Sequence, residues 1–256
     1  MSKPFSFGIG IVVAGVIIVA SVFLADEDPG IIGKSSLSRT ASPALTGITN
    51  RSVSPSPRLT EAFSPKPSGK KVLAVPFSVQ APTANWDPVH EETCEEVAVI
   101  MAYAWVKGVT LYPALVEQEI QKTIKWQMDS FGFFADTSAR QTAQMAESLY
   151  GLETGIIENP TVQKIKDEID AGRIVIAGVA GRMLGNPYYT PPGPLYHMLL
   201  IKGYDATGFI TNDDGTRRGE SYHYSYPVIM AAFHDWNGSA ETLSVSPAVA
   251  FTVSKD

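Results

Sequence analysis

The chain is 256 residues long, 45% hydrophobic and mildly acidic, with a formal net charge of −6. That length supports one good-sized core, or at most two small domains. The acidic balance, with no Lys/Arg cluster and no interleaved aromatics, excludes the usual composition of a nucleic-acid binder.

The first element in chain order is an uncharged run, FSFGIGIVVAGVIIVASVFLA, at residues 5–25. At 1.5 Å per residue it spans about 31 Å, roughly one bilayer core. Lys3 precedes it, and Asp26, Glu27 and Asp28 follow. That asymmetry places the N-terminus inside and the rest outside. The expectation for residues 1–25 is a cytoplasmic tip and a single-pass anchor in the cell membrane. A cleaved signal peptide is the alternative, and the length of the run and Phe23 before Ala25 argue against it. Either reading exports the remainder. No cysteine closely follows the run, which excludes a lipoprotein-type anchor.

Residues 26–70 are rich in Ser, Thr and Pro, as in SVSPSPRLTEAFSPKPSG. Such a segment buries too little apolar surface to offset its ordering entropy, and is expected to be a disordered stalk. The folded domain is then expected at 71–256.

Within it, residues 72–82 read as a short strand ended by prolines. Residues 93–107 read as a helix stopped by Gly108, with Cys94, Val97, Ala98, Met101, Ala104 and Trp105 on one apolar face. On that pattern Glu92, Glu95 and Glu96 point to solvent. A second amphipathic segment runs over 113–127. A third helix is capped by Asp136 or Thr137 and ends near Gly151. A fourth covers 161–171, with Gly172 as its stop. RIVIAGVAG, HMLLIKGYD and GFITNDD then read as strands, the first two separated by the Gly/Pro-rich loop GRMLGNPYYTPPGP. SYHYSY alternates Tyr222, Tyr224 and Tyr226 as a half-exposed strand, and Pro227 opens a short helix through Asp235. Helices first and an antiparallel sheet second make an α+β layout.

Cys94 is the single cysteine of the chain. Exported proteins use cysteines in pairs, so an unpaired one is a buried small hydrophobe, an intermolecular link or a reactive thiol. At a helix N-terminus the backbone N–H groups and the dipole favour a thiolate. A cysteine nucleophile also needs a base, and a group to orient that base. Of the four histidines, His90 lies in the preceding loop, and His223 and His234 sit in surroundings suited to structural hydrogen bonding. His197 begins a hydrophobic strand after a Gly/Pro loop that leaves one side of it open. If that strand pairs with the next as a hairpin, Asn212, Asp213 or Asp214 comes beside it. Tyr188 and Tyr189 are candidates for the wall of a substrate cleft. No HExxH motif or calcium-loop spacing is present, and no phosphate-cradling glycine loop, so neither a metal, a nucleotide nor any other cofactor is expected.

VPFSVQAP, NWD, TCEEVAVIMAYAW, GNPYYTPPGPLYHMLLIKGYD, FITNDDGTRRGESYHYSY and HDWN, taken together, resemble the bacteriocin-processing peptidase-like family. These are relatives of the double-glycine leader peptidases among the papain-like cysteine peptidases. The resemblance spans nearly all of 72–237. It implies a papain-like fold, with N-terminal helices packed on a C-terminal antiparallel sheet. It also implies Cys94 as nucleophile, His197 as base, Asp213 as the orienting group and Gln80 as an oxyanion donor. The implied activity is peptide-bond hydrolysis through a thioester, with a peptide or protein as substrate. Two departures stand out. Gln80 is separated from Cys94 by the NWDPVHEE loop, where leader peptidases have only a few residues. Asp213 is followed by Asp214, where the family usually has proline, so Asn212 and Asp214 remain alternatives. Leader peptidases usually precede a many-span transporter with an ATPase, so double-glycine cleavage does not follow from the resemblance. A catalytically silent domain that binds peptides or cell-wall material is one alternative function. A thiol amidase or transpeptidase is another.

Overall fold

The structure, a computed structural model, describes residues 69–255. The anchor expected at 1–25 and nearly all of the stalk expected at 26–70 lie outside the described residues. Among the described residues no helix is long and apolar enough to cross a membrane.

Three helices open the domain: α1 (Cys94–Lys107), α2 (Pro113–Ser130) and α3 (Ala139–Tyr150). Each has local chemistry at its ends. Gly108 takes a left-handed φ of 69° and returns its N–H to Ala104, which closes α1. Pro113 sits in the first turn of α2, where a missing N–H costs nothing. Ser138 and Gln141 form a reciprocal capping box at the start of α3, and Gly151 ends it. The cap is therefore Ser138 and not Asp136 or Thr137. Its side chain reaches the backbone N–H of Gln141, and its own N–H is met by the Gln141 side chain.

The sheet follows. Its strands are β1 (Lys71–Val72), β2 (Thr154–Glu158), β3 (Ile174–Ala180), β4 (Tyr196–Tyr204), β5 (Gly208–Asn212), β6 (Tyr222–Ser225) and β7 (Val249–Val253). They run in the order β2-β7-β3-β4-β5-β6, with β1 paired to the end of β4, and every pairing is antiparallel. Two short helices, α4 (Val162–Asp170) and α5 (Tyr226–Ala232), complete the fold. The class is α+β, as expected. Of the strand expected at 72–82 only Val72 pairs in the sheet, together with Lys71 just before it. The short helix expected to reach Asp235 stops at Ala232, because Phe233 is already extended. β2 and β7 were not expected; they pair with each other, and β7 also pairs with β3.

Both faces of the sheet are covered, so the strands alternate between two apolar cores. Tyr196, Met198 and Leu200 of β4 join one core with α1, α2 and α3. Leu199 and Ile201 join the other with α4 and α5. Helix α1 is central and packs against β4, α2 and α3. Its residues from Val97 through Ala102 are all fully buried. A helix in that position has no solvent face, which corrects the expectation for its glutamates: Glu95 and Glu96 are 1% and 0% exposed.

Phe251, on β7 between β2 and β3, is fully buried in the core that holds α1. Phe251→Ala should lower stability by about 3–5 kcal/mol. The check is a lower urea midpoint with an unchanged dependence on denaturant.

Candidate active site

Cys94 opens α1, and its sulfur lies by the backbone of Met198 on β4. The thiol donates to Glu95 Oε2 at 3.1 Å. Burial pushes it well above the ordinary cysteine value, as would negative charge on Glu95 and Asp214. At rest the sulfur is therefore a protonated thiol.

His197 lies one residue before Met198, so strand alternation sends its side chain to the face of Leu199 and Ile201. It is 1% exposed, so the preceding loop does not leave it open. Its Nε2 is 2.9 Å from Asp213 Oδ1. The antiparallel register of β4 on β5, which pairs Leu200 with Asn212, brings these two together as the hairpin argument required. The Tyr189 ring and the imidazole meet in a T-shaped contact, with ring centroids 5.7 Å apart. Gly215 packs so closely that a Cβ there would lie 3.0 Å from His197 Cε1 and from Tyr189.

Asp213 is fully buried. Its Oδ2 accepts from Asn186 at 3.0 Å, Tyr189 at 2.7 Å and Tyr224 at 2.5 Å. The Gly215 N–H reaches Oδ1 at 3.1 Å. Burial alone would raise its carboxyl, but the hydrogen bond and charge of His197 and the two tyrosine hydroxyls outweigh it. The group is held below the ordinary aspartate value and is ionised. Asp214 is the opposite case. Both its oxygens are buried without a hydrogen bond, although Oδ1 is 3.6 Å from His197 Nε2. Burial, then the charge of Asp213, pushes it well above its ordinary value, so it is a neutral acid. Asn212 faces elsewhere: its amide donates to the carbonyls of Val75 and Pro76.

Gln80 is also buried here, but its amide nitrogen donates to the carbonyls of His90 at 2.8 Å and Glu91 at 3.1 Å. Both N–H bonds of that amide are thus engaged. His90 itself bridges Asp87 and Glu117, each at 2.8 Å, and fixes the turn ahead of α1. His223 pairs with Asp205, and His234 with the Ser246 carbonyl, both structural roles.

Cys94 and His197 line one cavity of about 450 Å³, together with Gln80, Tyr189 and Gly215. No hydrogen bond joins the thiol to the imidazole directly. With Nε2 committed to Asp213, Nδ1 is the nitrogen left for a thiol. Tyr189 lines this cavity, whereas Tyr188 is exposed and stacks on Tyr222 and Arg218. A larger and more open groove, about 720 Å³ along residues 72–77, contains neither Cys94 nor His197. The ligand atoms of His197, Asp213 and Asp214 lie within 4.8 Å of one another. However, the five donors on Asp213 already fill the roughly four lone-pair sites of a carboxylate. That aspartate has nothing left to give an ion.

The model of the Peptidase_C39 like family matches residues 72–242. The chain belongs to that family. A solved structure from Bacillus anthracis, described as that of a C39-like peptidase, is similar at 14% identity with a TM-score of 0.42. The match covers 73% of this chain and 98% of that one. No curated protein matches the chain. The papain-like resemblance read from the sequence thus holds at the level of this peptidase family.

Sequence reasoning missed Asn186, Tyr224 and Gly215, and it misplaced Glu95. They lie inside the segments that carry the family resemblance, but those come from the loop after β3, strand β6, the turn after β5 and helix α1, and nothing in the segments assigns them to the site. Only the assembled sheet brings them together around Cys94, His197 and Asp213.

Two outcomes follow from this geometry. Gly215→Ala should displace the imidazole by a few tenths of an ångström and lower turnover of any peptide substrate by about tenfold or more; steady-state kinetics on the folded variant would check it. Separately, burial raises the Glu96 carboxyl from 4.5 to about 8. The folded protein then holds a proton that the unfolded chain has released, so stability falls as pH rises through that window. Glu96→Gln should flatten the fall, read as melting temperature against pH.

Proposed function

We propose that this domain is a cysteine peptidase in which Cys94 is the nucleophile, His197 the base and Asp213 the residue that orients the base. The observation that supports this most is the single cavity lined by both Cys94 and His197, with His197 held on a buried, ionised Asp213. In this mechanism His197 Nδ1 takes the Sγ proton and the thiolate attacks the peptide carbonyl. Asp213 fixes the tautomer and stabilises the imidazolium. The Cys94 N–H, in the first turn of α1, has no intrahelical carbonyl partner and is free to donate to the oxyanion. Gln80 becomes the second donor once its amide leaves the carbonyl of His90 or Glu91. Protonated His197 passes its proton to the departing amine, and water then hydrolyses the thioester.

The substrate class is a peptide or protein segment. The uncharged run at residues 5–25 supports a location outside the cell, with the domain tethered to the membrane by its N-terminal segment. Transfer of the acyl group to an amine, in place of hydrolysis, uses the same thioester; an added amine acceptor separates the two outcomes.

Two measurements test the reading. Cys94→Ala and His197→Ala should each lower peptide turnover by about a thousandfold or more while leaving the fold intact. At neutral pH the Cys94 thiol should be alkylated about tenfold or more faster in the parent protein than in His197→Ala. Equal, slow alkylation in both would show that the thiol is buried structure, and a peptide-binding domain without turnover would replace the peptidase.

A further inference from the structure

The expected oxyanion donor, Gln80, has both amide hydrogens engaged at rest. The polar side chain in contact with the sulfur is Glu95, which is 1% exposed and lines the same cavity. Glu95 Oε1 accepts the Thr137 N–H at 3.0 Å, and Oε2 lies 3.1 Å from Cys94 Sγ. In a protonated carboxyl this assigns the two oxygens: Oε1 is the carbonyl oxygen, and Oε2 carries the hydrogen.

We infer that Glu95 is a further catalytic residue, a neutral acid whose Oε2–H donates a hydrogen bond to the Cys94 sulfur as the thiolate forms. The inference rests on the peptidase reading above. At rest Oε2 accepts from the thiol. When the Sγ proton moves to His197 Nδ1, the Sγ–H bond breaks, an N–H bond forms, and the electron pair stays on sulfur. The Glu95 proton remains on Oε2 and turns toward the new anion. A hydrogen bond to an ionised group is stronger than one between neutral groups, so the contact favours the thiolate over the thiol.

The surroundings keep Glu95 neutral. Burial, then the neighbouring Glu96, pushes its carboxyl well above the ordinary glutamate value. Facing it are Cys94 and Glu96 of α1, Asp136 ahead of α3, Tyr196 of β4 and Asp214 after β5. None of these is a cation, and no Lys or Arg pairs with Glu95 among the described residues. The sign follows: the donor is present below the raised folded value of Glu95 and is lost as pH rises through it.

The test compares Glu95→Gln and Glu95→Ala in two assays, peptide turnover against pH and the rate of Cys94 alkylation. Glutamine keeps an acceptor for Thr137 and a permanent donor for sulfur. Glu95→Gln should therefore stay within about tenfold of the parent and lose the alkaline decline in turnover, whereas Glu95→Ala should fall about ten- to a hundredfold in both assays. Parent-like activity in Glu95→Ala would overturn the inference. So would a Glu95→Gln as impaired as Glu95→Ala, since the carboxylate would then be the working form. If Glu95→Ala does not fold, the Glu95→Gln profile decides alone, and an unchanged alkaline decline would refute the donor. Alkylation needs no substrate, so failure of the peptidase reading shows separately, as absent turnover in the parent protein.

Discussion

The burial of α1 on every side is the constraint from which the rest of this domain is built. A helix with Val97 through Ala102 fully enclosed must find partners all round, and it finds them in β4, α2 and α3. Its first turn is thereby pressed against the start of β4, with the Met198 backbone on the Cys94 sulfur. The same enclosure takes Glu95 and Glu96 out of water. Glu95 spends one oxygen on the Thr137 N–H just ahead of α3, and Glu96 accepts from Gln127 of α2. The acids that the fold buries are therefore also the joints between the central helix and its neighbours.

This arrangement sorts four buried acids into two electrostatic roles. Asp213 is surrounded by donors and stays charged. Glu95, Glu96 and Asp214 have too few donors to hold a charge in a dry interior, and they keep their protons. One anion and three neutral acids are far less costly than four anions would be within one small volume. The pairing also divides labour between adjacent residues in the sequence. Asp213 sits at 2.9 Å from the histidine, whereas the Asp214 carboxyl, at 3.6 Å, has no hydrogen bond on either oxygen.

Much of this was legible in the sequence, for identifiable reasons. The α1 face that bears Cys94 follows from apolar spacing, its end from Gly108, and the hairpin that joins His197 to Asp213 from two adjacent β-type runs. The helical wheel failed at Glu95 and Glu96 because it ranks the faces of one helix and says nothing about what covers the polar one. β7 escaped because VAFTV follows a long irregular segment and alternates too briefly to stand out, yet it pairs with both β2 and β3. The donors on Asp213 were invisible for a different reason. Asn186 and Tyr189 share the loop after β3, but Tyr224 lies far along the chain on β6, and only the order of the strands sets it beside them on Asp213.

One detail of the sheet bears on which changes of length the domain can accommodate. The register of β4 on β5 shifts between Ile201 and Gly203, so Lys202 is the extra residue of a bulge. On the near side of that bulge, His197 and Met198 look to opposite faces, one toward Asp213 and the other toward the core shared with α1. Removing one residue there would exchange their faces and turn the imidazole into the apolar core. The turn at 205–207 lies beyond the bulge, at the far end of the hairpin. Insertions there would lengthen an exposed connection and leave the histidine where it is. Along this hairpin, changes of length are thus tolerable at one end only, and the bulge marks where that freedom stops.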